Sequence, residues 1–251
     1  MKLLRDTWLV FSRQILLLLR NPVWVIVGIV QPLLYLLLFA PLLKPALGVQ
    51  STAEAYQVFV PGLLVMLAIF GALFSGFGLI AEMRAGIIER SRVTPVSRLA
   101  LMLGRSMRDV VTLLVQGVMI TLIALPFGLT VELQNVLVAY LMLALIAMLC
   151  SAVSAAVALK VRSEDALAPL LQTVSQPILL TAGILLPLAF APQWLKNIAD
   201  WNPFSWAVDG VRDLFNGHPG TPEVWQGLVI VSALTVLAVL WAARSFAKSV
   251  R

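Results

Sequence analysis

Six stretches of the chain, residues 23–43, 58–81, 110–129, 136–159, 167–188 and 224–243, run for twenty residues or more without an Asp, Glu, Lys or Arg. A helix of ~20 apolar residues reaches across the hydrocarbon core of a bilayer, so each run has the length of a transmembrane helix. The runs are continuously apolar rather than alternating, which argues against the strands of a membrane barrel. Buried helices of a soluble domain rarely stay uncharged over this length. The pattern predicts an all-α polytopic membrane protein with six transmembrane helices. The first run exceeds the ~7–15-residue core of a signal peptide, no small-residue cleavage site stands out, and an amphipathic segment precedes it. It reads as a retained span.

Outside the spans the pattern changes period. In residues 1–21, Leu3, Leu4, Trp8, Phe11, Ile15, Leu18 and Leu19 recur at helical spacing, with Arg5, Asp6, Ser12, Arg13 and Arg20 largely opposite. This predicts an N-terminal amphipathic interface helix lying among lipid headgroups. It serves as an anchor or as a scaffold for a cytoplasmic partner. Asn21-Pro22 breaks it, and the six-span domain occupies 22–251. Residues 189–223 carry two short amphipathic stripes separated by the turn signal Asp200-Trp201-Asn202-Pro203. They predict short re-entrant outer helices between spans five and six. Trp194, Trp201, Asn202 and Pro203 are read there either as an aromatic belt or as an outer gate.

Composition and charge fix the setting. The chain has 251 residues, 61% hydrophobic and 12% charged, against about 25% charged in soluble domains. Fifteen of the eighteen basic residues fall on the side shared by the two termini. The excess of Lys and Arg on that side predicts that both termini of a multi-pass protein are cytoplasmic; the expected location is the plasma membrane of a prokaryote. With the net charge of +6 collected along the membrane, no nucleic-acid partner is expected. Cys150, the one cysteine, lies inside an apolar run, and no metal cluster is suggested.

The connection 82–98 is short and dense in both signs of charge. Glu82, Arg84, Glu89, Arg90 and Arg92 stand at helical pairing distances, Gly86 weakens the helix, Pro95 stops it, and Ser97 is placed to cap the next one. A solvated turn that enforces topology and an element that docks in a partner's groove both fit these residues.

Three stretches, in this order, carry a resemblance over essentially the whole chain. They are Leu19-Arg20-Asn21-Pro22 leading to Gln31-Pro32, the segment from Glu82 through Gly86 to Pro95 and Arg98, and Gly183-Ile184-Leu185-Leu186-Pro187 followed by Pro192-x-Trp194-Leu195 and Trp201-Asn202-Pro203-Phe204-Ser205. The chain resembles the type-2 ABC exporter permeases, within them the drug-resistance and nodulation-type subunits. That resemblance implies a second permease protomer, most simply an identical one, and two copies of a separate ABC ATPase. The ATPase would bind ATP and Mg; this chain has no G-x-x-x-x-G-K-[ST] loop of its own. The resemblance makes 82–98 a coupling segment, with Glu82, Arg84, Glu89 and Arg90 pairing with the ATPase groove, Gly86 permitting close approach and Pro95 shaping the end.

The predicted spans hold no acid, base or histidine, which disfavours proton or sodium coupling. Their polar residues are amides and hydroxyls. Gln31, Gln172 and Gln176 are read as interhelical hydrogen-bonding groups or as the lining of a path between protomers. Arg98, Arg105 and Arg108 form a basic stripe at the inner end of the third span, for ordinary lipid contact or for anionic head groups of the cargo. A weakly polar interior suits an amphiphilic cargo such as a drug, lipid or lipo-oligosaccharide. The alternative is an ATP-independent membrane transporter or a membrane assembly factor. No catalytic constellation is found for an intramembrane enzyme.

Overall fold

The structure, a computed structural model, describes residues 2–21, 23–39, 42, 51–87, 97–184, 188 and 191–249. Every regular element among the described residues is helical: α1 (Lys2–Arg20), α2 (Val23–Leu34), α3 (Thr52–Leu73), α4 (Ser75–Arg84), α5 (Arg98–Ala124), α6 (Leu133–Val161), α7 (Glu164–Thr181), α8 (Gln193–Ala199), α9 (Pro203–Phe215) and α10 (Pro222–Ser249). Two short turns extend them, a π-helical one over Tyr35–Phe39 and a 3-10 one over Leu125–Phe127.

Four helical stretches have the length and apolarity to cross a membrane: Thr52–Arg84, Leu99–Phe127, Leu133–Val161 and Pro222–Phe246. They correspond to the second, third, fourth and sixth expected spans. A fifth arises if α1 and the helix over Val25–Phe39, which meet at 71°, are taken as one broken span. The fifth expected span coincides with α7, which is 18 residues long and carries Glu164 and Asp165 in its first turn. Residues 185–187 of that expected span lie outside the described residues. The polytopic helical architecture is therefore seen directly. The helices also outrun the uncharged runs: α5 begins at Arg98, twelve residues before the apolar stretch.

The centre of the bundle is α3, whose residues Val60–Ile69 are all buried. Around it pack α5, α6 and α9, and α10 packs against α6 and α9. Phe74 interrupts α3 and α4, and α6 repairs the break. Ser154 Oγ accepts from Gly76 N at 3.0 Å and donates to the Leu73 carbonyl. In an apolar solvent such freed backbone groups must find protein partners, so the break and Ser154 belong together.

α1 departs from the expected picture in one respect. It lies along α5 in the same direction, with Val10 against Gly104 and Gln14 against Arg108. Gly104 makes this contact possible, because a Cβ there would stand 2.7 Å from Val10 Cγ1. The protein-facing stripe includes Asp6, Thr7 and Gln14, all buried, whereas Leu4, Trp8, Leu9, Leu16, Leu17 and Leu19 are exposed. Three polar groups thus turn to protein while most of its leucines face outward, and Arg5, Ser12, Arg13 and Arg20 are exposed as expected.

Candidate coupling site and transport path

α1, α4, α5 and α6 meet in a polar network. Glu82, in the last turn of α4, forms an ion pair with Arg105 of α5 and accepts a hydrogen bond from Gln14 Nε2 at 3.2 Å. The Gln14 amide oxygen accepts from Arg108 Nη1 at 3.1 Å. Arg108 Nη2 stands 2.6 Å from Asp109 Oδ1. The other Asp109 oxygen accepts from Ser151 of α6 at 2.9 Å, and Ser106 and Ser75 lie 3.0 and 3.3 Å from Ser151 Oγ. Glu82, Arg105, Ser106, Asp109 and Ser151 line a cavity of about 20 Å³, the size of one water. Two carboxylates and two guanidiniums balance in charge, which lowers the penalty of holding them away from bulk water.

This arrangement changes the reading of several residues. Glu82 was expected to face a groove on another protein or to pair within 82–98; it faces Arg105 instead. Arg105 and Arg108 were expected as a stripe toward head groups; both are engaged by side chains of the bundle. The sequence pattern missed the reason, because Gln14 and Asp109 sit 68 and 27 residues from Glu82 and share no local spacing with it. The adjacent Arg108-Asp109 pair at the edge of an apolar run was the available signal.

Arg84 takes the opposite direction. Its side chain is 58% exposed, and Nη1 lies 3.3 Å from Glu164 Oε1 at the start of α7. Beyond it Gly86 has φ +67 with open space where a Cβ would stand, a left-handed turn that glycine adopts at low cost. Glu89, Arg90 and Pro95 lie outside the described residues, as does the side chain of Arg98. Ser97 caps α5 as expected, accepting from Ala100 N at 3.1 Å.

Gln31 on α2 and Gln172 and Gln176 on α7 are exposed on the surface of the single chain. Gln116, of the same residue type, is buried and donates to the Val25 carbonyl at 2.9 Å. The structure thus separates one amide that fastens helices from three that face outward. In α7, Thr173 and Thr181 bond back to the carbonyls of Pro169 and Pro177, both at 2.7 Å.

Two short helices, α8 and α9, form between α7 and α10, where two amphipathic stripes were expected. Trp194 and Trp201 are exposed, Trp201 at 89%. Asn202 caps α9, accepting from Phe204 N at 3.0 Å, with Pro203 in the first helical turn. Its Nδ2 also reaches the Ile178 carbonyl at 3.2 Å and Thr181 Oγ1 at 2.8 Å. Arg212, not singled out from sequence, is 8% exposed. It donates to the Gly183 carbonyl at 2.6 Å and pairs with Asp209 at 3.2 Å. Burial pushes the Asp209 carboxyl above the usual carboxylate range, and Arg212 pulls it back. Burial likewise lowers Arg212, offset by Asp209.

With this geometry in view, comparison with known proteins is decisive. Residues 5–216 match the model of the ABC-2 type transporter family. The chain belongs to that family. Among similar proteins is the transport permease ycf38 of Cyanophora paradoxa, 28% identical over 217 residues, which span 85% of this chain and 75% of that one. The ycf38 protein of Pyropia yezoensis is 29% identical over 218 residues, covering 85% and 75%. The daunorubicin resistance ABC transporter permease protein DrrB1 of Streptomyces coeruleorubidus is 27% identical over 220 residues, covering 87% and 77%. The resemblance carried by the sequence motifs is thereby established. As an ABC-2 permease, the chain is a multi-pass membrane component of a transport system, of a family whose members work with an ABC ATPase.

Proposed function

We propose that this ABC-2 permease is the membrane half of an ATP-driven exporter that moves an amphiphilic cargo out of the cytoplasm or inner leaflet by alternating access. Two copies of the chain, each with six spans and cytoplasmic termini, pair in a prokaryotic plasma membrane and bind two ATPase subunits that carry ATP and Mg. Segment 82–98 is the coupling element, with Arg84, Gly86, Glu89, Arg90 and Pro95 as its outward part. Gln31, Gln172 and Gln176 line the path between protomers. Arg98 remains a head-group contact in this reading, and Trp194, Trp201, Asn202 and Pro203 belong to the outer gate.

The observation that carries the proposal is the position of Glu82. It stands at the start of 82–98 and is tied at once to α5 and α1. A displacement of this segment is therefore delivered to several helices. The three outward amides support the path, since an uncharged polar face suits an amphiphile. The daunorubicin-resistance name of one relative is in keeping with such a cargo.

The test is co-expression with the ABC ATPase encoded nearest to the gene. Co-purification and reconstituted ATP hydrolysis are measured for the parent and for an Arg84→Ala, Glu89→Ala, Arg90→Ala variant. Loss of ATPase binding or stimulation in a folded variant supports coupling. If no ATPase binds the parent, an ATP-independent transporter or assembly factor takes the place of the exporter.

A further inference from the structure

α7 carries two of the three outward amides, yet it is weakly seated in the bundle. Along its 18 residues only Leu167, Leu171 and Ser175 are buried. Side chains hold it at its ends. Arg84 reaches Glu164 at the inner end, while Asn202 and Arg212 reach Ile178, Thr181, Gly183 and Ile184 at the outer end.

The outer end has a specific need. The helix stops at Thr181, and Gly183 turns the chain at φ +65. Ala182, Gly183 and Ile184 are buried. Carbonyls past a helix end have no intrahelical donor, and buried ones require another. Arg212 Nη2 supplies it, 2.6 Å from Gly183 O and 3.4 Å from Ile184 O, while Nε reaches Val58 O of α3 at 3.4 Å. Gly62 of α3 makes the room: a Cβ there would collide with the Ile184 carbonyl and stand 3.4 Å from Arg212 Nη2. One guanidinium thus joins α9, α3 and the outer end of α7.

We propose that Arg212 is the latch of the outer gate: it holds the outer end of α7 against α3 and α9, and opening toward the outside requires it to release the carbonyls of Gly183 and Ile184. This rests on the exporter reading. Asp209, three residues earlier on the same helix, pairs with Arg212 at 3.2 Å and so offers the guanidinium a partner when it leaves the carbonyls. The charge is not abandoned, and the freed carbonyls turn to water. Arg212 acts as a positioning residue and touches no cargo.

The experiment uses the whole permease with its ATPase in lipid nanodiscs. Cys150, the one cysteine, is buried; it is replaced by Ala, and Ala182→Cys provides a reporter at the latch. The modification rate by a charged maleimide is measured without nucleotide and with ATP trapped by vanadate. The parent should react slowly at rest and roughly tenfold or more faster when trapped, as a local opening equilibrium shifts. Arg212→Gln should react fast in both states, and Arg212→Lys, which keeps the charge but loses the fork, in between. Gly62→Ala should act like Arg212→Gln without altering any charge, and it decides the matter if Arg212→Gln does not assemble. A reporter in Arg212→Gln or Gly62→Ala as protected as in the parent overturns the latch, and so does a parent rate indifferent to nucleotide while its ATPase is bound and active. ATPase co-purification is recorded in parallel. If none binds the parent, the exporter reading fails, and the resting rates alone still decide whether Arg212 holds α7 shut.

Discussion

Gln14 donates to Glu82 across 3.2 Å, joining residues 68 positions apart in the chain. Because the same amide accepts from Arg108, the contact fastens α1 to two helices at once. Gln14→Ala leaves both partners short of one bond. A stability loss of about 1–3 kcal/mol is expected for hydrogen bonds to charged groups. Thermal unfolding in detergent, together with protease sensitivity at Asn21, checks it; an unchanged protein would show that α1 is held by its apolar contacts alone.

The Glu82–Arg105 pair is largely shielded from water. Removing only Glu82 strands the guanidinium, at a cost of roughly 3–5 kcal/mol. Removing both as Glu82→Met with Arg105→Met should recover much of that loss, since apolar replacements of buried ion pairs are often neutral. The four-variant cycle, read as unfolding midpoints, should show strong non-additivity.

Asn202 serves two elements through opposite ends of one amide. Asn202→Asp keeps the oxygen that caps α9 but loses the donor to Ile178 and Thr181. Asn202→Ala loses both, with about 0.5–2 kcal/mol from the cap alone. The aspartate variant should therefore fall between parent and alanine in stability, and equal losses would mean the cap contributes nothing.

Gly86→Ala places a Cβ in a left-handed turn with free space around it. The expected cost is about 1–2 kcal/mol from backbone strain, with no clash. Gly86→Asn should be better tolerated, as asparagine enters that region more readily. ATPase co-purification and ATP turnover measure both; a variant in which alanine is silent would remove the turn from the coupling element.

The Arg84–Glu164 pair is exposed, so charge reversal at either residue should change stability by less than about 1 kcal/mol. Any larger effect of Arg84→Glu should appear in ATP-coupled transport and be relieved by Glu164→Arg. Salt should weaken the parent pair in the same assay.

The helical, membrane-crossing character was legible because twenty uncharged residues in a row mean the same thing wherever they fold. So was Ser97 as a cap, which acts within three residues of itself. The partners of Glu82 were not legible. A carboxylate in a charged connection has many local candidates, and only the fold, which brings the end of α4 within reach of α5, puts Arg105 ahead of Arg84 or Arg90. Arg212 was hidden for the same reason: as one of three basic residues on the outer side, it looked like a solvated charge. The carbonyls it serves become an obligation only once α7 ends inside the protein. The exposed faces of Gln172 and Gln176 also required the fold, since the spacing of α7 does not say which side of it meets α3.

The buried amide of Gln14 on α1 has a consequence for how the chain is made. Its first partner, Glu82, and its last, Arg108, follow Gln14 by 68 and 94 residues. α1 therefore leaves the ribosome long before any group exists to receive its buried amide. Its outward leucines and Trp8 give it somewhere to wait, at the lipid surface, with Gln14 still in water. α1 is then seated only after α5, which follows it in the chain, has entered the membrane. Order in α1 thus becomes a late marker of correct insertion.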